Sequence, residues 1–244
     1  MSLKASTIRC YLSAIAFYHK VKGYETETNS FVNKKLLRYY GKSDKNTAVR
    51  KPITQPLLGE IVREVKASTM STYDRRLYAA VYMMMYHGAM RVSEVAQGAN
   101  STHAISLDQI RISTNTIGVS FDTYKHSDSK GIQPVFMIDA EMAGVCPVKT
   151  LKKYIKTRGK KPGPLFVYED GHPITRGSIV KQLKDILNTL GLNSDTYNTH
   201  SLRIGKTTDL YKSGATHLQI MKCGRWKSNA YLTYVKPDII KMNV

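Results

Sequence analysis

Cysteine is scarce in this 244-residue chain: Cys10, Cys146 and Cys223 are all there is, an odd number with no Cys-x-x-Cys pair. That argues against a disulfide framework and a cysteine zinc site, and fits a reducing compartment. Long apolar runs are also missing. No stretch of about 18 apolar residues offers a membrane span. A helical pattern follows Met1-Ser-Leu-Lys4 at once, so no secretory signal is read and the chain is not expected to be secreted. There is no Gly-x-x-x-x-Gly-Lys-Ser/Thr loop and no carboxylate cluster, which speaks against P-loop and two-metal nuclease chemistry. No RNP-like aromatic strand suggests an RNA module. Acidic residues are few: 18 Asp and Glu face 37 Lys and Arg, a formal charge of +19. Such a balance predicts a polyanionic partner, nucleic acid or an acidic membrane surface. The basic residues are spread over many segments, which suits a wrapped duplex better than a membrane patch.

What is present reads mainly as helix. Ser6 or Thr7 can cap a helix with Ile8, Tyr11, Leu12, Ile15 and Tyr18 at helical spacing, ending near Gly23. Asn29 or Ser30 can cap a second, ending at Gly41. Residues 42–53, KSDKNTAVRKPI, are polar and basic without periodicity, as in a solvated loop or an interdomain linker. Thr54 caps a third helix with Pro56 in its first turn. Residues 73–87 form a long apolar helix whose Met and Tyr content fits a core. Gly88 breaks it, and Arg91 starts a short helix, where backbone N–H groups favour anions. Leu107–Ser113 and Thr116–Tyr124 alternate around Thr114-Asn115 as a hairpin, and Ile132–Ile138 reads as a third strand. Between the second and third lies the polar turn Lys125–Gly131. Pro147 opens a further helix, and Thr175 caps another that Gly191 stops. The fold class expected is mainly α with a small antiparallel β-sheet (α+β).

The chemistry concentrates in the run from His200 to Tyr234, HSLRIGKTTDLYKSGATHLQIMKCGRWKSNAYLTY. His200 and Arg203 stand one helical turn apart and can share a face. Arginine's planar fork suits the charge on a phosphodiester under attack. His200 can donate to a phosphate oxygen or help take a phenol proton. The indole N–H of Trp226, the only Trp, can hydrogen-bond a phosphate or the ring can anchor the core. A phenol is a poor nucleophile at neutral pH until nearby cations stabilise its phenolate. Tyr231 and Tyr234 are both candidates.

The order Arg91-Val-Ser-Glu94, a hairpin lysine, His200-x-x-Arg203, Gly224-x-Trp226 and Tyr234 eight residues later resembles the tyrosine recombinases, the phage-integrase family. The resemblance covers roughly residues 54–236 and, more loosely, the helices before them. It implies a partial DNA-binding segment over 1–41, a linker over 42–53 that crosses the DNA, and a catalytic domain over 54–244. It implies that Arg91 and Arg203 converge, that Lys125 (with Lys130 as the alternative) protonates the departing 5′ oxygen, and that Glu94 orients a cation. Trp226 stands where the family has His or Trp, and the family spacing favours Tyr234 over Tyr231 as nucleophile. The implied activity is site-specific cleavage and rejoining of double-stranded DNA through a 3′-phosphotyrosine, without metal, ATP or other cofactor. The implied assembly is a homotetramer, a dimer on each of two sites. The chain departs from the family at both ends. Its two N-terminal helices resemble only the last part of the family's DNA-binding domain, as in a fragment of a longer protein, and only ten residues follow Tyr234. The wording of HSLRIG and GRWKSNAYLTY is similar to recombinases of eukaryotic DIRS and crypton elements, implying a nuclear protein; otherwise the cytoplasm or nucleoid is expected. The rivals are a type IB topoisomerase or telomere resolvase, which share the catalytic set, and a domesticated DNA-binding protein that does not cut.

Overall fold

The computed structural model describes residues 3–43, 50–98, 104–121, 133–138 and 145–236, with the backbone alone for Ser43 and residues 133–138. The chain divides into two compact units, Met1–Val49 and Arg50–Val244. In the first, α1 (Ala5–Val21) pairs with α2 (Phe31–Ser43). Ser30 caps α2 as expected, its Oγ accepting from Asn33 N at 3.3 Å. α1 starts one residue before Ser6, so neither Ser6 nor Thr7 is its cap; Lys4 is, without a side-chain bond. Ala5 is the one buried hydrophobic residue described in this unit, while Phe17, Phe31 and Tyr39 are about 70% exposed.

The second unit is built around α4 (Thr72–His87), the helix that is apolar almost all round. A helix with no polar face must be enclosed. α3 (Gln55–Ala67), α6 (Pro147–Arg158) and α8 (His200–Lys212) pack against it. From Leu77 to Tyr86 every residue of α4 is buried. Ser71 Oγ caps its start, accepting from Asp74 N at 3.0 Å. α7 (Arg176–Thr189) is capped by Thr175, whose Oγ1 accepts from Ser178 N at 3.1 Å. The sheet has the order β1 (Ile110–Ile112), β2 (Thr116–Phe121), β3 (Gln133–Ile138), all antiparallel. Ile117, Val119 and Phe121 of β2 alternate inward. The first strand is shorter than its pattern predicts, because Leu107–Gln109 coils into a 3-10 turn closed by Ser106 and Gln109.

The end of the stretch expected as a linker, residues 50–53, is part of this unit. Lys51 N donates to Thr196 O and Ile53 N to Ser201 O, both at 2.9 Å, and Ile53 is wholly buried. Composition reads 50–53 as polar chain and misses that its backbone lies against α8. Gly205 permits the approach: a Cβ there would lie 1.7 Å from Ile53 O. The glycine in HSLRIG is thus a packing requirement.

Candidate active site

α4 ends at Gly88, and the turn Gly88-Ala89-Met90 carries the chain to Arg91. Ala89 has a left-handed φ of 43°, which costs an L-residue about 1–2 kcal/mol. This turn presents two carbonyls to two buried arginines. Gly88 O accepts from Arg225 Nη1 at 3.0 Å, and Ala89 O accepts from Arg203 Nη1. Arg203 Nη2 donates to Gly224 O at 2.7 Å. Arg203, on α8, is therefore clamped between the end of α4 and the end of α9 (His217–Gly224).

Beyond the turn, α5 (Val92–Val95) starts at Arg91. Glu94 Oε2 accepts from Arg91 N at 2.8 Å, and Oε1 meets Arg91 Nη1 at 3.2 Å. The same buried carboxylate takes a bond from Arg225 Nη2 at 2.6 Å. Glu94 thus orients two cations. Buried, a lone charge would be prohibitively costly; two arginines and a backbone N–H compensate it.

Arg225 is the residue that motif reasoning passes over. It sits in left-handed conformation (φ 57°) just after α9, and its guanidinium lies 4.4 Å from the centre of the Phe121 ring. It ties the Gly-Arg-Trp corner to the Arg91 turn and the sheet. The one sequence signal was a third arginine beside the motif tryptophan; its burial is a tertiary property.

Trp226 lies flat along this corner. Its ring packs on Gly224, where a Cβ would come within 1.7 Å of Cζ3, so this position too demands glycine. The Arg203 Cζ is 4.1 Å from the indole centre, a cation–π contact. The 3-10 segment Asn229–Tyr234 follows. Thr208 Oγ1 on α8 donates to Tyr234 O at 3.2 Å and accepts from Lys236 N at 3.1 Å, pinning the backbone on both sides.

The Tyr234 ring centre is 4.9 Å from that of His200, 5.2 Å from that of Trp226 and 5.6 Å from Arg203 Cζ. Tyr231 takes another course. It is fully buried, and its hydroxyl bonds His217 Nδ1 at 2.6 Å. So Arg91, Glu94, His200, Arg203, Trp226 and Tyr234 come together, and the Tyr231 hydroxyl is committed to α9. Lys125 and Lys130 lie outside the described residues.

The electrostatics follow from crowding. Burial, then Arg203 and Arg91, hold the His200 imidazole below its ordinary value, so the ring is neutral at pH 7. The residue nonetheless remains exposed to solvent. Burial, then Arg91 and Arg225, also push Arg203 down, against the pull of Glu94 and Tyr234. Among the described residues the Nε of Arg203 and of Arg225 have no hydrogen-bond partner. Arg203 is fully covered, by Trp226 and Tyr234 among others, where an exposed phosphate-gripping group is expected. No group of three or more His, Cys, Asp or Glu residues suited to a metal occurs among the described residues. No described helix is long and apolar enough to cross a membrane.

Residues 53–235 match the model of the phage integrase family, three quarters of the chain, and the chain belongs to that family. It is similar to the tyrosine recombinase XerD of Lacticaseibacillus casei, 28% identical over 136 residues. That match covers 56% of this chain and 42% of XerD, so the chain matches less than half of this relative's length. Its fold is that of the Tn1549 transposon integrase in complex with circular-intermediate DNA, with a TM-score of 0.65 at 15% identity over 99% of this chain and 79% of that one. The XerH recombinase bound to its difH substrate gives 0.60 at 16% identity, covering 99% and 69%. A lambda integrase dimer on a core site gives 0.61 at 14%, covering 96% and 60%.

Proposed function

We propose that the protein cleaves and rejoins DNA strands by attack of the Tyr234 phenol on a backbone phosphate. The observation that carries this reading is the approach of Tyr234 to His200, Arg203 and Trp226, while its neighbour Tyr231 is buried against His217. Tyr234 Oη forms a bond to phosphorus, and the 5′ oxygen of the next nucleotide leaves. The product is a 3′-phosphotyrosyl ester and a free 5′ hydroxyl; a second 5′ hydroxyl reverses the step on another strand. The ester conserves the broken bond, so the exchange itself draws on no ATP. His200, neutral at pH 7, receives the phenol proton or donates to a phosphate oxygen. Arg91 and Arg203 hold the non-bridging oxygens, where charge grows in the transition state. Attack requires Tyr234 to turn away from the Arg203 guanidinium it now covers, which uncovers that cation for the phosphate. Glu94 and Arg225 fix the arginines rather than touch the phosphate. Lys125, or Lys130, protonates the leaving oxygen.

The working unit is a homotetramer on two double-stranded sites, and the activity is recombination of a mobile element. A type IB topoisomerase reading shares the chemistry, so the test must separate products. A duplex nicked near the cleavage point should trap a covalent adduct with the wild type and none with Tyr234→Phe. Two-site substrates should give recombinant joints. Relaxation of supercoils by a monomer, without any joint product, would replace recombination by topoisomerisation. No adduct on any duplex would leave a DNA-binding protein that does not cut.

A further inference from the structure

A second concentration of positive charge lies at the opposite end of α4 from the Arg91 turn. The last turn of α3, the first two turns of α4 and one face of α6 enclose a half-open cleft of about 590 Å³. Six of its ten lining residues are cations: Lys66, Arg75, Arg76, Lys149, Lys153 and Lys156. None of the other four is acidic. Arg76 and Gly88 are 12 residues apart along α4, about 18 Å at 1.5 Å per residue. The cleft is therefore not an extension of the site around Tyr234.

The charges there are crowded, and the two arginines are held by neutral groups. Arg75 donates to Lys66 O at 3.2 Å and to Thr72 Oγ1 at 3.0 Å; Arg76 donates to Thr157 Oγ1 at 2.5 Å. These bonds aim the guanidinium groups without cancelling their charge. Burial and then Lys153 hold the Lys66 ammonium below its ordinary value. Gathering like charges weakens a fold unless something binds them. Lys149, Lys153 and Lys156 stand at i, i+4 and i+7, on one face of α6. They span about 10 Å, about three base-pair rises along a duplex axis at roughly 3.4 Å each. A row along a half-open cleft fits a linear chain of phosphates better than one compact anion.

We propose that this cleft is a second nucleic-acid site, which holds the phosphate backbone of a strand at a place other than the phosphodiester attacked by Tyr234. The inference does not depend on strand cleavage. The test is the double variant Lys153→Gln/Lys156→Gln, compared with wild type on a labelled duplex that carries no cleavage site. Removing two phosphate contacts should weaken binding about tenfold or more at moderate salt and flatten the log–log salt slope by about 1.8. The variant should melt at the same temperature or higher, since it relieves repulsion; a structural role would lower the melting point. Adduct formation on a short nicked duplex should be unchanged. A failure of cleavage in both proteins would count against the Tyr234 reading and not against this one. Unchanged duplex affinity and slope would overturn the proposal. So would a variant that keeps its duplex affinity and loses only thermal protection by a glutamate-rich peptide.

Discussion

Tyr231 and Tyr234 lie in one 3-10 segment, three residues apart, and differ in almost everything that matters to a nucleophile. Tyr231 has no exposed surface, and its hydroxyl is already bonded to His217. Tyr234 is half-buried, and the contacts of its ring are with an imidazole, an indole and a guanidinium. One phenol fastens the segment to α9; the other lies against the Arg203 guanidinium. The comparison teaches that residue type and spacing nominate a nucleophile, while burial and prior hydrogen bonding decide between candidates. The same contrast separates Arg203 and Arg225. Both are buried, but Arg225 is spent on Glu94, Gly88 O and Phe121, whereas Arg203 lies under the Tyr234 ring.

The largest effect that would break the comparison is a reversal of roles, so Tyr234→Phe must abolish covalent trapping while Tyr231→Phe retains it. Arg203→Ala should still bind DNA yet form adduct at least about a hundredfold more slowly, as for loss of one donor to a developing oxyanion; single-turnover rates on the nicked duplex check this. Arg225→Met leaves Glu94 buried with one fewer cation. Breaking such a pair costs about 3–5 kcal/mol, read by urea unfolding, and Arg225→Lys should recover part of it. Tyr231→Phe removes one buried hydrogen bond, a loss of about 1 kcal/mol in the same assay, with the cleavage rate kept in whatever fraction stays folded. The smallest effect is on pH. Because His200 is depressed in the folded protein, the unfolded chain takes up its proton first as pH falls through 6.5. Stability from this group is then lost from about that pH down to the folded value. Cleavage that uses the neutral ring should likewise have its acid midpoint below 6.5, a limb that His200→Asn removes. A midpoint at or above that value contradicts the assignment.

Much of the frame was legible in advance. Thr175 and Ser30 cap their helices as their side chains allow, and the apolar residues 73–87 form the central helix. The ordered motif residues Arg91, His200, Arg203, Trp226 and Tyr234 share one neighbourhood, a convergence that family resemblance implied and periodicity alone could not give. What stayed illegible depends on long-range contact. Gly205 and Gly224 look like helix-weakening residues until Ile53 O and the Trp226 ring are seen against them. Ile53 sits in a polar stretch yet is wholly buried, because its backbone bonds to α8. The burial of Arg225 has no local signature, since its partner Glu94 lies 131 residues away. The start of α1 at Ala5 defeats the capping rule because Lys4 supplies no side-chain acceptor and a Ser/Thr pair inside the first turn imitates a cap.

The most direct measurement is to locate the nucleotide on the trapped protein. Digestion of the adduct with trypsin should release a peptide from Ser228 to Lys241, because the Lys236-Pro237 bond resists cleavage, and that peptide carries both tyrosines. Fragmentation by mass spectrometry then assigns the phosphodiester. It is expected on Tyr234 alone; finding it on Tyr231, or on a residue outside this peptide, would contradict the role proposed for Tyr234.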